Sequence, residues 1–155
     1  MRFPWSEVIA TAWAIGGAAQ GAAQQVREIG IEAVAASSDP ALLVAGPYGA
    51  LRPSGRTRIS AAFGAGVSDG AFAWRGEVLG HFLLSPVLRR GWGAYFGGGL
   101  AAVGGPVSRG YLVVTLGIEE RPGGRSGWFA EGGVGGGVRV AAGYRWRKFP
   151  AGWPQ

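Results

Sequence analysis

The feature that most restricts this chain is a period of two. In 138–147, Val138, Val140, Ala142, Tyr144 and Trp146 alternate with Arg139, Ala141, Gly143, Arg145 and Arg147. A helix would scatter those arginines around a cylinder, whereas an extended strand sets all of them on one side. In 111–119, Leu112, Val114, Leu116 and Ile118 alternate with Tyr111, Val113, Thr115, Gly117 and Glu119. The same alternation runs backwards through 128–135, 91–103, 71–84, 56–67 and 26–36. Segment 41–52 is less regular, with Pro47 near its middle, and a bulge or irregular strand is expected there.

Turn signals separate these segments: Ser37 to Pro40, Pro53-Ser54-Gly55, Ser68-Asp69-Gly70, Ser85 to Arg90, Gly104 to Arg109, Arg121 to Gly127 and Gly135-Gly136-Gly137. Eight strands joined by short connections must be antiparallel neighbours. An even-numbered meander of that kind closes into an up-and-down barrel, which removes both sheet edges. Glycine supports this fold class. It makes up 31 of 155 residues, a composition that weakens helices and suits strands that bend or crowd a narrow interior. Residues 24–149 are therefore read as one all-β barrel domain and 150–155 as a C-terminal tail.

Residues 1–23 differ. Arg2 precedes a mostly apolar stretch from Val8 to Ala19, and Gly21-Ala22-Ala23 resembles a small-residue cleavage site. This segment is expected to be a signal peptide or an N-terminal helix; Pro4 and Glu7 depart from the signal pattern. No run of 18 apolar residues follows it, which disfavours a helical membrane span but not a barrel.

Alternation does not by itself say which face is inside. A soluble lipocalin-like barrel would turn its apolar face inward, around a ligand site lined by Phe96, Leu112, Val114 and Leu116. A membrane barrel inverts this. Three features favour the membrane arrangement. The polar face is rich in glycine, as a lumen filled by side chains requires. Its charges balance: Glu28, Glu32, Glu77, Glu119 and Glu131 can meet Arg58, Arg75, Arg139, Arg145 and, near the rim, Arg147, with His81 on the same face. The apolar face carries Trp74, Trp92, Trp128, Tyr144 and Trp146 near strand ends, where an interfacial girdle belongs.

On this pattern, residues 26–149 resemble the small outer-membrane β-barrels of Gram-negative bacteria, the class that includes the membrane domain of outer membrane protein A. The last strand resembles their C-terminal assembly signal at Gly143, Trp146 and Phe149, and departs from it at Lys148 and in the six-residue tail after Phe149. The resemblance implies location in the bacterial outer membrane, contact with its lipid, assembly by the barrel-assembly machinery and a periplasmic N-terminus.

Little chemistry is written in the residues. Some barrels of this class are lipid-modifying hydrolases that use serine and histidine. His81 and Ser85 stand about 13 Å apart along a strand, too far for hydrogen bonding, which leaves a partner on another strand such as Ser60. One histidine and no cysteine give no metal site. The glycine triplets lack the Lys-Ser/Thr of a phosphate loop, and no cofactor is expected. The arginines behind the formal charge of +6 are scattered, many of them at turns (Arg52, Arg56, Arg89, Arg90, Arg121 and Arg125), with no basic face for nucleic acid. The expected function is a structural or interaction role for a plugged outer-membrane barrel. The alternatives are the soluble ligand-binding barrel and the lipid-modifying hydrolase.

Overall fold

The computed structural model describes residues 25–153; the expected signal segment 1–23 lies outside them. Eight strands follow one another: β1 Val26–Ala36, β2 Leu42–Arg52, β3 Thr57–Ser68, β4 Ala71–Leu83, β5 Trp92–Gly104, β6 Arg109–Glu120, β7 Ser126–Val134 and β8 Val138–Lys148. Each pairs antiparallel with the next, and β8 pairs with β1, so the sheet is a closed barrel.

The registers fix its dimensions. A path perpendicular to the strands leaves Arg27 and passes Leu51, Ile59, Gly80, Gly98, Val114, Val134 and Val138. It returns to β1 at Ser37, whose N–H donates to the Val138 carbonyl. One circuit thus climbs ten residues, from Arg27 to Ser37. With about 3.3 Å per residue and about 4.8 Å between strands, that stagger tilts the strands by about 40° and gives a backbone radius of roughly 8 Å. Side chains fill such an interior.

Burial alternates along every strand, and the faces are inverted relative to a soluble protein. Phe96, Leu112, Val114 and Leu116 point outward, with Leu112 79% exposed. The charged face points inward. Among the described residues, charges on the outer face of the strands are confined to the rims: Arg27, Glu120 and Lys148 stand at the end that carries the chain termini, and Arg109 at the other. Far from that terminus-bearing end, Val34, Ala36, Leu42, Val44, Ala73 and Ala141 form an apolar cluster in the lumen.

Of the two forms expected for segment 41–52, the structure has the irregular strand and not the bulge. Ala45 pairs with Ala65 and Tyr48 with Ala62, so both strands advance three residues and the register is unchanged. Gly46 and Pro47 drop out of the β2–β3 ladder, while Ile31 still pairs with Pro47 on the β1 side. Proline removes one donor, and the ladder opens on one side only. Turn bounds also contract: Ser68, Gly104, Arg109, Ser126 and Gly127 belong to strands.

Two glycines separate the demands of wall and surface. A Cβ on Gly99 would collide with the Val78 carbonyl of β4, whereas one on Gly132 would meet open space outside the barrel. Gly99→Val is expected to destabilise the fold by about 1–3 kcal/mol through overpacking. Gly132→Val is expected to be neutral or stabilising by about 0.5 kcal/mol. Equilibrium urea unfolding of the two variants from lipid vesicles checks this contrast, and equal effects would contradict it.

Candidate functional site

Among the described residues, most of the buried charged side chains gather in the lumen. Inward-facing positions alternate along each strand, and the tilt brings residues distant in sequence to a common height. Six arginines and five glutamates are buried there among the described residues. Arg52 and Arg147 join Arg58, Arg75, Arg139 and Arg145. Arg52, read from sequence as a turn residue beside Pro53, is fully buried. The expected balance of five against five therefore becomes a surplus of one arginine.

The charges divide into two clusters. Near the terminus-bearing end, Glu28 and Glu119 are shared by four arginines. Arg52 Nε donates to Glu28 Oε1. Arg58 Nη1 reaches Glu119 at 3.0 Å, Arg147 Nη2 at 2.8 Å and Arg145 Nη1 at 3.3 Å. Higher in the lumen, Arg139 is the centre. Its guanidinium meets Glu77 at 2.7 Å, Glu131 at 2.9 Å and Glu32 at 3.2 Å. Arg75 Nε donates to Glu77, and its Nη2 to the Gly135 carbonyl at 3.1 Å. Glu28 and Glu32, four residues apart on β1, thus belong to different clusters.

An aromatic layer separates the two. The Arg145 guanidinium carbon lies 3.7 Å from the Phe129 ring centre and 4.9 Å from that of Tyr48, and Arg58 lies 4.5 Å from that of Tyr95. These are cation–π distances in a water-poor site, where the attraction is strong. Tyr95 donates to Glu131 at 2.8 Å, which joins the aromatic layer to the upper cluster. The rings sit over glycines of the next strand. Tyr95 pairs with Gly117 and Phe129 with Gly143, and a Cβ on those glycines would come within 2.5 Å and 2.6 Å of the rings. His81 lies likewise over Gly97. Glycine on the polar face makes room for a flat side chain from its neighbour.

The terminus-bearing mouth is closed by the turn after β6. Arg52 Nη1 donates to the Pro122 carbonyl at 3.1 Å, and Arg147 Nη1 to those of Arg121 and Gly124 at 3.2 and 3.3 Å. Gly123 N–H donates to Leu88 O at 2.8 Å, which ties this turn to the β4–β5 loop. Lumen arginines thus pin a lid from inside. Beside Glu32, Val44, Arg75 and Glu77, a void of about 10 Å³ remains, room for about one water.

The remaining predicted residues fall as follows. Trp92, Trp128, Tyr144 and Trp146 lie outside the barrel towards the terminus-bearing rim, where Tyr144 packs edge-on against both Trp128 and Trp146. Trp74 belongs to the opposite half and stacks on Phe63. Gly143 faces inward under Phe129, Trp146 faces outward, and Phe149 follows β8 and packs on Trp153. His81 Nε2 stands 3.6 Å from Glu131, while the Ser60 hydroxyl donates to the Leu79 carbonyl at 3.5 Å. Among the described residues, no three His, Asp or Glu side chains are grouped to hold a metal. Sequence reasoning missed Arg52, Tyr48, Tyr95 and Phe129 as site residues. Parity with Leu42 and Val44 was the available signal for Arg52.

Arg139 gives the sharpest test. Arg139→Met leaves Glu32, Glu77 and Glu131 facing one another without their shared cation, and is expected to cost about 3–5 kcal/mol. Adding Glu32→Gln and Glu131→Gln, which leaves Glu77 paired with Arg75, is expected to recover more than half of that loss. Urea unfolding followed by tryptophan fluorescence reads both, and a neutral Arg139→Met would remove the network from the account of stability.

No protein-family model and no curated protein matches this sequence. Among solved structures, the chain is similar to the N-terminal β-barrel domain of Pseudomonas aeruginosa OprF. The TM-score is 0.60 at 14% identity, covering 81% of this chain and 98% of that one. At that identity the likeness is one of fold: this chain, like that domain, is a β-barrel, here closed from eight antiparallel strands.

Proposed function

We propose that this protein is a bacterial outer-membrane β-barrel with a structural or interaction role and a lumen plugged by its own side chains. The observation that carries this reading is the inverted distribution of polarity. Ile31, Val78, Leu100, Val114, Leu116 and Val140 form an outer belt more than half exposed, and the ion pairs lie inside. In water such a surface would be an aggregation site; in lipid it is the expected one. Strands of 9–13 residues meet the roughly 9–11 that a tilted strand needs to cross a bilayer. Similarity to the OprF barrel supports the same location. Assembly by the barrel-assembly machinery, through Gly143, Trp146 and Phe149, belongs to this reading.

The role is read as non-enzymatic. His81 is buried beside Glu131 and Tyr95, in a lumen that offers a substrate no entry. A plugged interior also speaks against a porin.

The first test is electrophoretic. Membrane-fraction protein run unboiled is expected to migrate differently from the boiled sample, because a closed barrel resists detergent. A soluble protein without a shift would overturn the reading. A second test is Val114→Arg, in mid-strand on the outer belt, expected to cost about 2–4 kcal/mol of stability in vesicles. Full tolerance of that arginine would count against contact with lipid.

A further inference from the structure

The chain's positive charge is not spread evenly over the barrel. Described residues at the terminus-bearing rim include Arg27, Arg56, Arg90 and Lys148, together with Arg89, Arg121 and Arg125, which line one concavity with the lumen's Arg147, against one carboxylate, Glu120. At the opposite rim Arg109 stands with Asp39 and Asp69. The lumen contributes only its one surplus arginine, so the basic rim carries nearly the whole net charge.

Part of that rim is a built recess. A concavity of about 750 Å³ opens between the β4–β5 loop, the turn after β6 and the end of β8, and is lined by Arg89, Arg121, Arg125, Arg147, Lys148 and Phe149. Its floor is the lid that Arg52 and Arg147 hold from the lumen. Gly124 N–H donates to Arg121 O at 2.7 Å, so the turn that carries Arg121 and Arg125 is closed on itself. Glu120, the carboxylate at this rim, lies 3.1 Å from Arg121. A recess with a fixed floor loses less freedom on binding than a flexible loop would.

We propose that this recess seats the phosphate headgroup of an anionic phospholipid from the adjoining leaflet. Planar guanidiniums match phosphate oxygens in pairs. The height selects lipid over soluble anions. Trp92, Trp128 and Trp146 mark the membrane–water boundary on this rim; Lys148 ends the same strand as Trp146, and Phe149 follows it. A headgroup bound there keeps its acyl chains against the apolar belt. Clustered basic residues at the end of a membrane segment are the recurrent means of holding anionic lipid. The inference rests on the membrane reading above and goes beyond it by naming a ligand class and its site.

The test uses the full chain folded in neutral detergent micelles containing phosphatidylglycerol and phosphatidylcholine, with bound lipid counted by native mass spectrometry. The expected result is selective retention of phosphatidylglycerol. Arg121→Gln with Arg125→Gln is expected to weaken it by about tenfold or more. Arg27→Gln with Arg56→Gln, equal in charge on the same rim but outside the recess, is expected to leave it within about twofold. Equal losses in both pairs would overturn the recess in favour of diffuse attraction, and no preference for phosphatidylglycerol would overturn the proposal altogether. Displacement of the lipid by millimolar inorganic phosphate would replace it with a free-anion site. The boiled and unboiled gel, run on each variant, separates failure of this proposal from failure of the membrane reading: a shift that persists without lipid selectivity overturns the headgroup site alone.

Discussion

Closure sets the terms for the rest of the molecule. Eight strands with a ten-residue stagger leave a lumen too narrow for a water column and too wide for small residues alone. That space must then be filled by side chains, and most of their polar atoms have to find partners among the others. Long arginines do this well, because a guanidinium reaches across the lumen and presents five donors. Arg139 meets Glu32 from β1, Glu77 from β4 and Glu131 from β7, so one side chain ties four strands together. Removing that shared cation leaves carboxylates buried without water, and that is the costly state.

The glycines belong to the same constraint. Interior positions opposite Tyr95 and Phe129 hold Gly117 and Gly143 because the rings lie where a Cβ would be. Those rings in turn receive Arg145 and Arg58 on their faces. Small residue, flat ring and cation form one stack, found here twice: Gly117–Tyr95–Arg58 and Gly143–Phe129–Arg145. The layer so formed keeps the lower carboxylates, Glu28 and Glu119, apart from the upper three, which limits repulsion within a lumen that holds five of them.

The two ends of the barrel are finished differently. One end closes on Val34, Leu42, Val44 and Ala73, with no charge needed. The other closes on a turn held by arginines that come from the lumen clusters. The lid and the basic recess are therefore continuous with the ion-pair network, and the same arginines that plug the barrel shape the surface it shows at this rim. The aromatic side chains gather at this end too, where Trp128, Tyr144 and Trp146 touch in sequence.

Much of this architecture is legible in the amino-acid sequence. The number of strands, their order, the contents of each face and the separating turns follow from a period of two, because successive side chains of a strand point to opposite sides. Arg52 escaped because Pro53 after it reads as a turn, although its parity with Leu42 and Val44 puts it inside. The proline at 47 suggested a bulge, yet the register holds across it: a single missing donor interrupts a ladder without inserting a residue. Periodicity along the chain dictates the alternation, and so which residues share a face. Which face closes inward, and which glutamate each arginine meets, is settled in the folded barrel alone. Those pairings join residues as far apart as 107 positions, and they depend on stagger and tilt, which belong to the closed barrel and not to any one strand.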